Sequence, residues 1–100
     1  MLNENIIKAL EEKGFKRWTK GAMDRMYIDA KVLGLDVVYN GRGNVLGADF
    51  KGERISNNMA REMLASKNYV DIATGKVFSG SYTLKREISE IIESIETSIA

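Results

Sequence analysis

Six apolar residues, Leu84, Ile88, Ile91, Ile92, Ile95 and Ile99, recur at helical period along the C-terminal stretch. Glu87, Glu90, Glu93 and Glu96 fall largely off that stripe. A helix with an apolar face this long needs a surface to cover. The spacing predicts a terminal helix capped by Ser81 or Thr83, which either covers a sheet or pairs with a second copy of the chain. The rest of the sequence must then supply that surface.

It supplies strands. Residues 3 to 13 read as a first helix, with Ile6, Ile7 and Leu10 on one side and Gly14 as a stop. Phe15–Lys20 and Met23–Ala30 read as a hairpin around Gly21-Ala22, followed by a looser segment from Lys31 to Gly34. Leu35–Asn40 and Val45–Lys51 form a second hairpin across Asn40-Gly41-Arg42-Gly43-Asn44, a run tolerant of positive φ. Ser56-Asn57-Asn58 caps a middle helix whose apolar face carries Met59, Ala60, Met63 and Leu64, ending near Asn68. Tyr69–Ile72 and Lys76–Ser79 make a short hairpin. The expected fold is α+β: an antiparallel sheet of four strands plus a short hairpin, with N-terminal, middle and C-terminal helices. At 100 residues, with no proline-rich or low-complexity linker, 1–100 is expected to be a single domain.

Composition removes several function classes. There is no histidine and no cysteine, so Ser-His-Asp, Cys-His and thiolate-metal chemistry are excluded. No catalytic residue, metal ligand set or cofactor is assigned, and the chain is read as a non-enzyme. No apolar run approaches the ~20 residues that span a bilayer. Met1-Leu2-Asn3-Glu4-Asn5 lacks the basic and apolar regions of a secretory signal, so a cytoplasmic location is expected. Net charge is +1, yet Lys13, Lys16, Arg17, Lys20 and Arg25 crowd together and the last helix is acidic.

Strand alternation sorts the side chains into faces. In the first hairpin, one face takes Phe15, Arg17, Thr19, Asp24, Met26 and Ile28. The other takes Lys16, Trp18, Lys20, Met23, Arg25 and Tyr27, with Trp18 opposite Arg25 and Lys16 opposite Tyr27. In the second hairpin, Leu35, Val37, Tyr39, Leu46, Ala48 and Phe50 form the expected core face. Asp36 then lies across from Asp49, an arrangement that repels unless a cation intervenes.

The mixed aromatic and basic face is the strongest candidate site: rings stack bases, and Lys and Arg neutralise phosphates. The plainer explanation packs Trp18 and Tyr27 under a helix while the cations reach outward. Arg42, at the tip of the Asn40–Asn44 loop, is a further anion-binding candidate, although a plain hairpin turn explains its neighbours. Asp36 and Asp49, with Asp29, offer oxygen ligands for Mg²⁺, although solvated carboxylates on an exposed sheet face are the plainer reading. Ser56-Asn57-Asn58 with Arg61 offers an anion site at a helix start, although helix capping alone accounts for the Ser and Asn residues. Thr74-Gly75-Lys76 lacks the upstream glycine and following Ser/Thr of a phosphate loop and reads as a turn.

The segments Lys16-Arg17-Trp18-Thr19-Lys20-Gly21, Asp24-Arg25-Met26-Tyr27-Ile28, Gly52-Glu53-Arg54-Ile55-Ser56-Asn57 and Tyr69-Val70-Asp71-Ile72-Ala73-Thr74-Gly75-Lys76-Val77 resemble small phage and prophage proteins of Gram-positive bacteria. That resemblance implies an anti-defence factor in the host bacterial cytoplasm, acting by binding. The expected ligand is a nucleotide or nucleic acid, held by Lys16, Trp18, Lys20, Arg25, Tyr27 and Arg42. The alternative partner is a host immune effector protein, or another copy of the chain through the last helix.

Overall fold

The computed structural model describes residues 1–99. Helix α1 (Glu4–Glu12) starts at Asn3, whose side chain accepts from the Ile6 amide at 2.9 Å, and buries Ile6, Ile7 and Leu10. Strands β1 (Lys16–Lys20) and β2 (Met23–Tyr27) follow as a hairpin. The second strand stops at Tyr27 rather than Ala30. Asp29 accepts from the Lys31 amide at 3.1 Å and opens the short helix α2 (Ala30–Leu33) where a looser segment is expected from the sequence.

Strands β3 (Leu35–Tyr39), β4 (Val45–Phe50) and β5 (Glu53–Ile55) form a three-stranded antiparallel sheet. Lys51 and Gly52, at φ 52° and 84°, turn the chain tightly between β4 and β5. Helix α3 (Asn57–Ala65) is capped by Ser56 and packs on β4. Strands β6 (Tyr69–Asp71) and β7 (Val77–Phe78) precede helix α4 (Tyr82–Ile99). Ser81 caps α4, its hydroxyl accepting from the Leu84 amide at 3.3 Å.

The protein is α+β with two antiparallel sheets, and the expected helices lie at both ends and in the middle. The first hairpin does not join the second. It pairs instead with the β6–β7 hairpin, giving the order β1-β2-β6-β7. Met26 on β2 and Val70 on β6, both fully buried, face inward from this sheet. They share one continuous core with Leu10 of α1 and Leu84 and Ile88 of α4. Leu84, Ile88, Ile92 and Ile95 of the helical stripe are buried in this chain's own interior, and Ile99 stays exposed.

The expected core face of the second hairpin needs correction. Register holds from Leu35↔Phe50 to Val38↔Gly47, then slips so that Tyr39 pairs with Val45 and Leu46 is left over as a bulge. The extra residue reverses the alternation. Leu46 therefore turns to solvent and Val45 takes the buried position opposite Tyr39, whose own ring is 41% exposed at the end of β3.

Candidate functional site

Alternation along β1 and β2 turns Lys16, Trp18 and Lys20 toward the same side as Met23, Arg25 and Tyr27, with Trp18 opposite Arg25 and Lys16 opposite Tyr27. The same alternation separates Arg17 from the other cations. It lies on the opposite face, where its guanidinium forks onto Asp24 at 2.7 and 3.0 Å and reaches Glu4 at 3.5 Å. The Arg17 hydrogen bonds hold the Asp24 carboxyl below its ordinary range.

Pairing of β2 with β6 and of β6 with β7 extends the basic and aromatic face across the whole sheet. Lys16, Tyr27, Tyr69 and Phe78 fall on one line perpendicular to the four strands; Trp18, Arg25 and Asp71 fall on the next. The rings touch in sequence. Trp18 meets Tyr27 edge-on at 6.1 Å between centroids, Tyr27 is tilted against Tyr69 at 5.0 Å, and Tyr69 stacks on Phe78 at 4.9 Å. The Arg25 guanidinium donates to the Tyr27 hydroxyl at 3.0 Å and sits 4.4 Å from the Tyr69 centroid. That hydrogen bond, with the nearby Tyr and Asp71 oxygens, raises the pKa of Arg25 above its ordinary value.

This face is open. Trp18 and Phe78, at the two ends of the ring row, are 39% and 42% exposed, and the two tyrosines between them are half-buried. Lys16 and Lys20 are exposed beside Trp18. The core lies on the other side of the sheet. Tyr69, Phe78 and Asp71 were missing from the sequence-based site. The alternation of Tyr69 and Asp71 against inward Val70 was the signal that could have supplied the first and last.

A polar knot fixes the strand ends on which the row depends. Asn68, 3% exposed, donates from its amide to the Ile28 carbonyl at 3.3 Å. It accepts from the Ser66 and Ser79 hydroxyls at 2.8 and 2.7 Å. The Ile28 amide donates back to the Asn68 carbonyl at 3.0 Å. Tyr27 and Tyr69 are each one residue away from this clasp, which sets their relative position.

The remaining candidates resolve into structural roles. Arg42 lies in the β3–β4 loop, on the other sheet, and so is not part of the row. The Asn40 side chain accepts from the amides of Arg42 and Asn44 at 2.8 and 3.0 Å, occupying donors an anion would need. Asp36 and Asp49 do pair across β3 and β4, and Arg54 supplies the cation, its Nε 3.2 Å from Asp49. Arg54 lies so close over Gly47 that a Cβ there would collide with it. Asp29 caps α2, and no cluster of three or more potential metal-ligating side chains occurs among the described residues. Arg61 donates to Asn58 at 2.8 Å, and Ser56 to Asn58 serve the start of α3. Thr74 and its amide bind Asp71, which closes the β6–β7 turn.

A groove of about 650 Å³ runs between that turn and α4, lined by Gly75, Val77, Ser89, Ile92, Glu93, Glu96 and Thr97. Its two carboxylates and lack of a cation make it a poor receptor for phosphate. Comparison of the chain with known protein families, with curated proteins and with solved structures gives no match.

Proposed function

We propose that this chain is a non-enzymatic binding protein that takes a phosphate-bearing, base-containing ligand on the outer face of the β1-β2-β6-β7 sheet. One observation carries the reading: a solvent-facing row of four touching rings is flanked on the same face by Lys16, Lys20 and Arg25. Rings accept bases by stacking, and the cations neutralise phosphate. Asp71 is the one carboxylate on those two lines of side chains, and Thr74 already occupies it. The resemblance to small phage proteins supports placing this activity in anti-defence, through sequestration of a nucleotide signal or occlusion of a nucleic acid.

The chain has a single tryptophan, and it stands in the row. Its fluorescence therefore reports binding directly. Added nucleotides and single-stranded oligonucleotides are expected to quench it, with affinity falling as salt rises by about two decades per decade for three neutralised phosphates. Fluorescence and affinity indifferent to every nucleotide would overturn the reading.

A protein partner is the second reading. Trp18, Tyr27, Tyr69, Arg25 and the exposed Met23 together have the composition of an interface hot spot. Binding to an effector protein through these residues would show a shallower salt dependence.

A further inference from the structure

We infer that the ligand of the ring row is a single-stranded nucleic acid contributing at least two bases, rather than a mononucleotide. The inference rests on the base-and-phosphate reading above and narrows it. Its ground is where the accessible ring surface lies. Within the row, the most exposed rings are Trp18 on the edge strand β1 and Phe78 on the edge strand β7. Three strand spacings separate them, about 14 Å. One base cannot touch both.

The two inner rings offer less. Tyr69 is covered by the Arg25 guanidinium and by Phe78, and Tyr27 is engaged by Trp18, Tyr69 and the Arg25 hydrogen bond. They act as a floor that holds the end rings in place. Trp18 meets Tyr27 in a T-shaped contact, which engages at most one of its faces, and Phe78 stacks through one face alone. Two stacking platforms at opposite ends of a sheet suit a strand crossing β1, β2, β6 and β7. Between them Arg25 stands where the connecting phosphates would pass. Lys16 and Lys20 flank the Trp18 end on alternate positions of β1 and extend the positive track.

A length series tests this: the four mononucleotides, mixed-sequence dinucleotides, and longer mixed-sequence oligomers, each with deoxyribose and with ribose. Binding is read by calorimetry or by anisotropy of labelled oligomers, with Trp18→Ala, Phe78→Ala and Phe78→Leu beside the parent chain. Phe78→Leu keeps the apolar cover while removing the ring face, and circular dichroism checks that each variant folds. Affinity should rise at least tenfold from mononucleotide to oligomer. Trp18→Ala and Phe78→Leu should each weaken oligomer binding by about 5- to 150-fold, the effect of losing one stacked base. Comparable affinity for both sugars indicates a site that reads bases and phosphates alone; a preference for one identifies which nucleic acid is held.

Mononucleotides binding as tightly as oligomers would overturn the two-base inference while leaving the broader proposal standing. So would a folded Phe78→Leu chain with unchanged oligomer affinity. No binding at any length would remove both.

Discussion

Arg25 and Tyr69 are separated in sequence by the whole β3-β4-β5 sheet and α3, yet the guanidinium of one rests 4.4 Å from the ring centroid of the other. The β2–β6 pairing makes this contact, and the Tyr27 hydroxyl holds the arginine from its own strand. Arg25 is thus both a charge on the face and the brace between two of its rings.

Arg25→Ala is therefore expected to lower oligonucleotide affinity about tenfold or more, the scale of a charge-assisted hydrogen bond. It should also reduce the steepness of the salt dependence by about one phosphate contact. Arg25→Lys keeps the charge but not the planar fork, so it should restore part of the salt dependence and less of the affinity. Titrations across a salt series give both quantities. Identical slopes for the parent and Arg25→Ala would remove Arg25 from the phosphate track.

Removing Asn68 tests the clasp beneath the row. Asn68→Ala deprives the Ser66 and Ser79 hydroxyls and the Ile28 carbonyl of a common partner, and should cost about 1–3 kcal/mol in urea unfolding. Because Ile28 and Asn68 adjoin Tyr27 and Tyr69, ligand affinity should fall as well under conditions where the variant is still folded. Unchanged affinity would mean that the rings hold their positions without the clasp.

The core makes a separate prediction. Ile88 of α4 is fully buried, so Ile88→Ala should destabilise the chain by about 2–5 kcal/mol through lost burial and an unfilled cavity. Ile99, exposed on the same helix, should tolerate alanine with a change within about 0.5 kcal/mol. Equal losses at the two positions would show that Ile99 is covered in solution, as pairing with another copy through α4 requires.

The Arg17–Asp24 pair predicts the acid behaviour. Its hydrogen bonds depress the folded-state Asp24 pKa below the ordinary 3.8. The contribution is therefore complete above that value and is lost as pH falls through the lower folded value. Asp24→Asn should flatten this part of the stability curve below pH 3.8 while leaving its shape near neutrality unchanged. Urea midpoints collected across the acid range measure it, and superimposable acid limbs would contradict the assignment.

Local patterning made the first hairpin readable down to its register, because Gly21-Ala22 leaves one short way to join β1 to β2 and alternation does the rest. It also exposed the helical stripe of α4. The β3–β4 pair was harder: a bulge at Leu46 adds one residue, and one residue is enough to swap Leu46 and Val45 between faces. Strand β5 escaped because its turn places Lys51, not only a glycine, in the left-handed region. The site was half legible for a different reason. Trp18, Arg25 and Tyr27 lie within one hairpin, whereas Tyr69 and Phe78 arrive through a strand pairing that nothing in their own neighbourhood specifies.

The strand order β1-β2-β6-β7 has a consequence for the life of the chain. The two hairpins that meet in this sheet are made on either side of β3, β4, β5 and α3, so no fragment ending before Tyr69 carries the complete row of rings. During synthesis the first hairpin emerges with its indole and cations but without the partners that brace them. Under the function proposed above, competence to capture a ligand would arrive only with the last third of the polypeptide, so that binding would report a sheet already assembled.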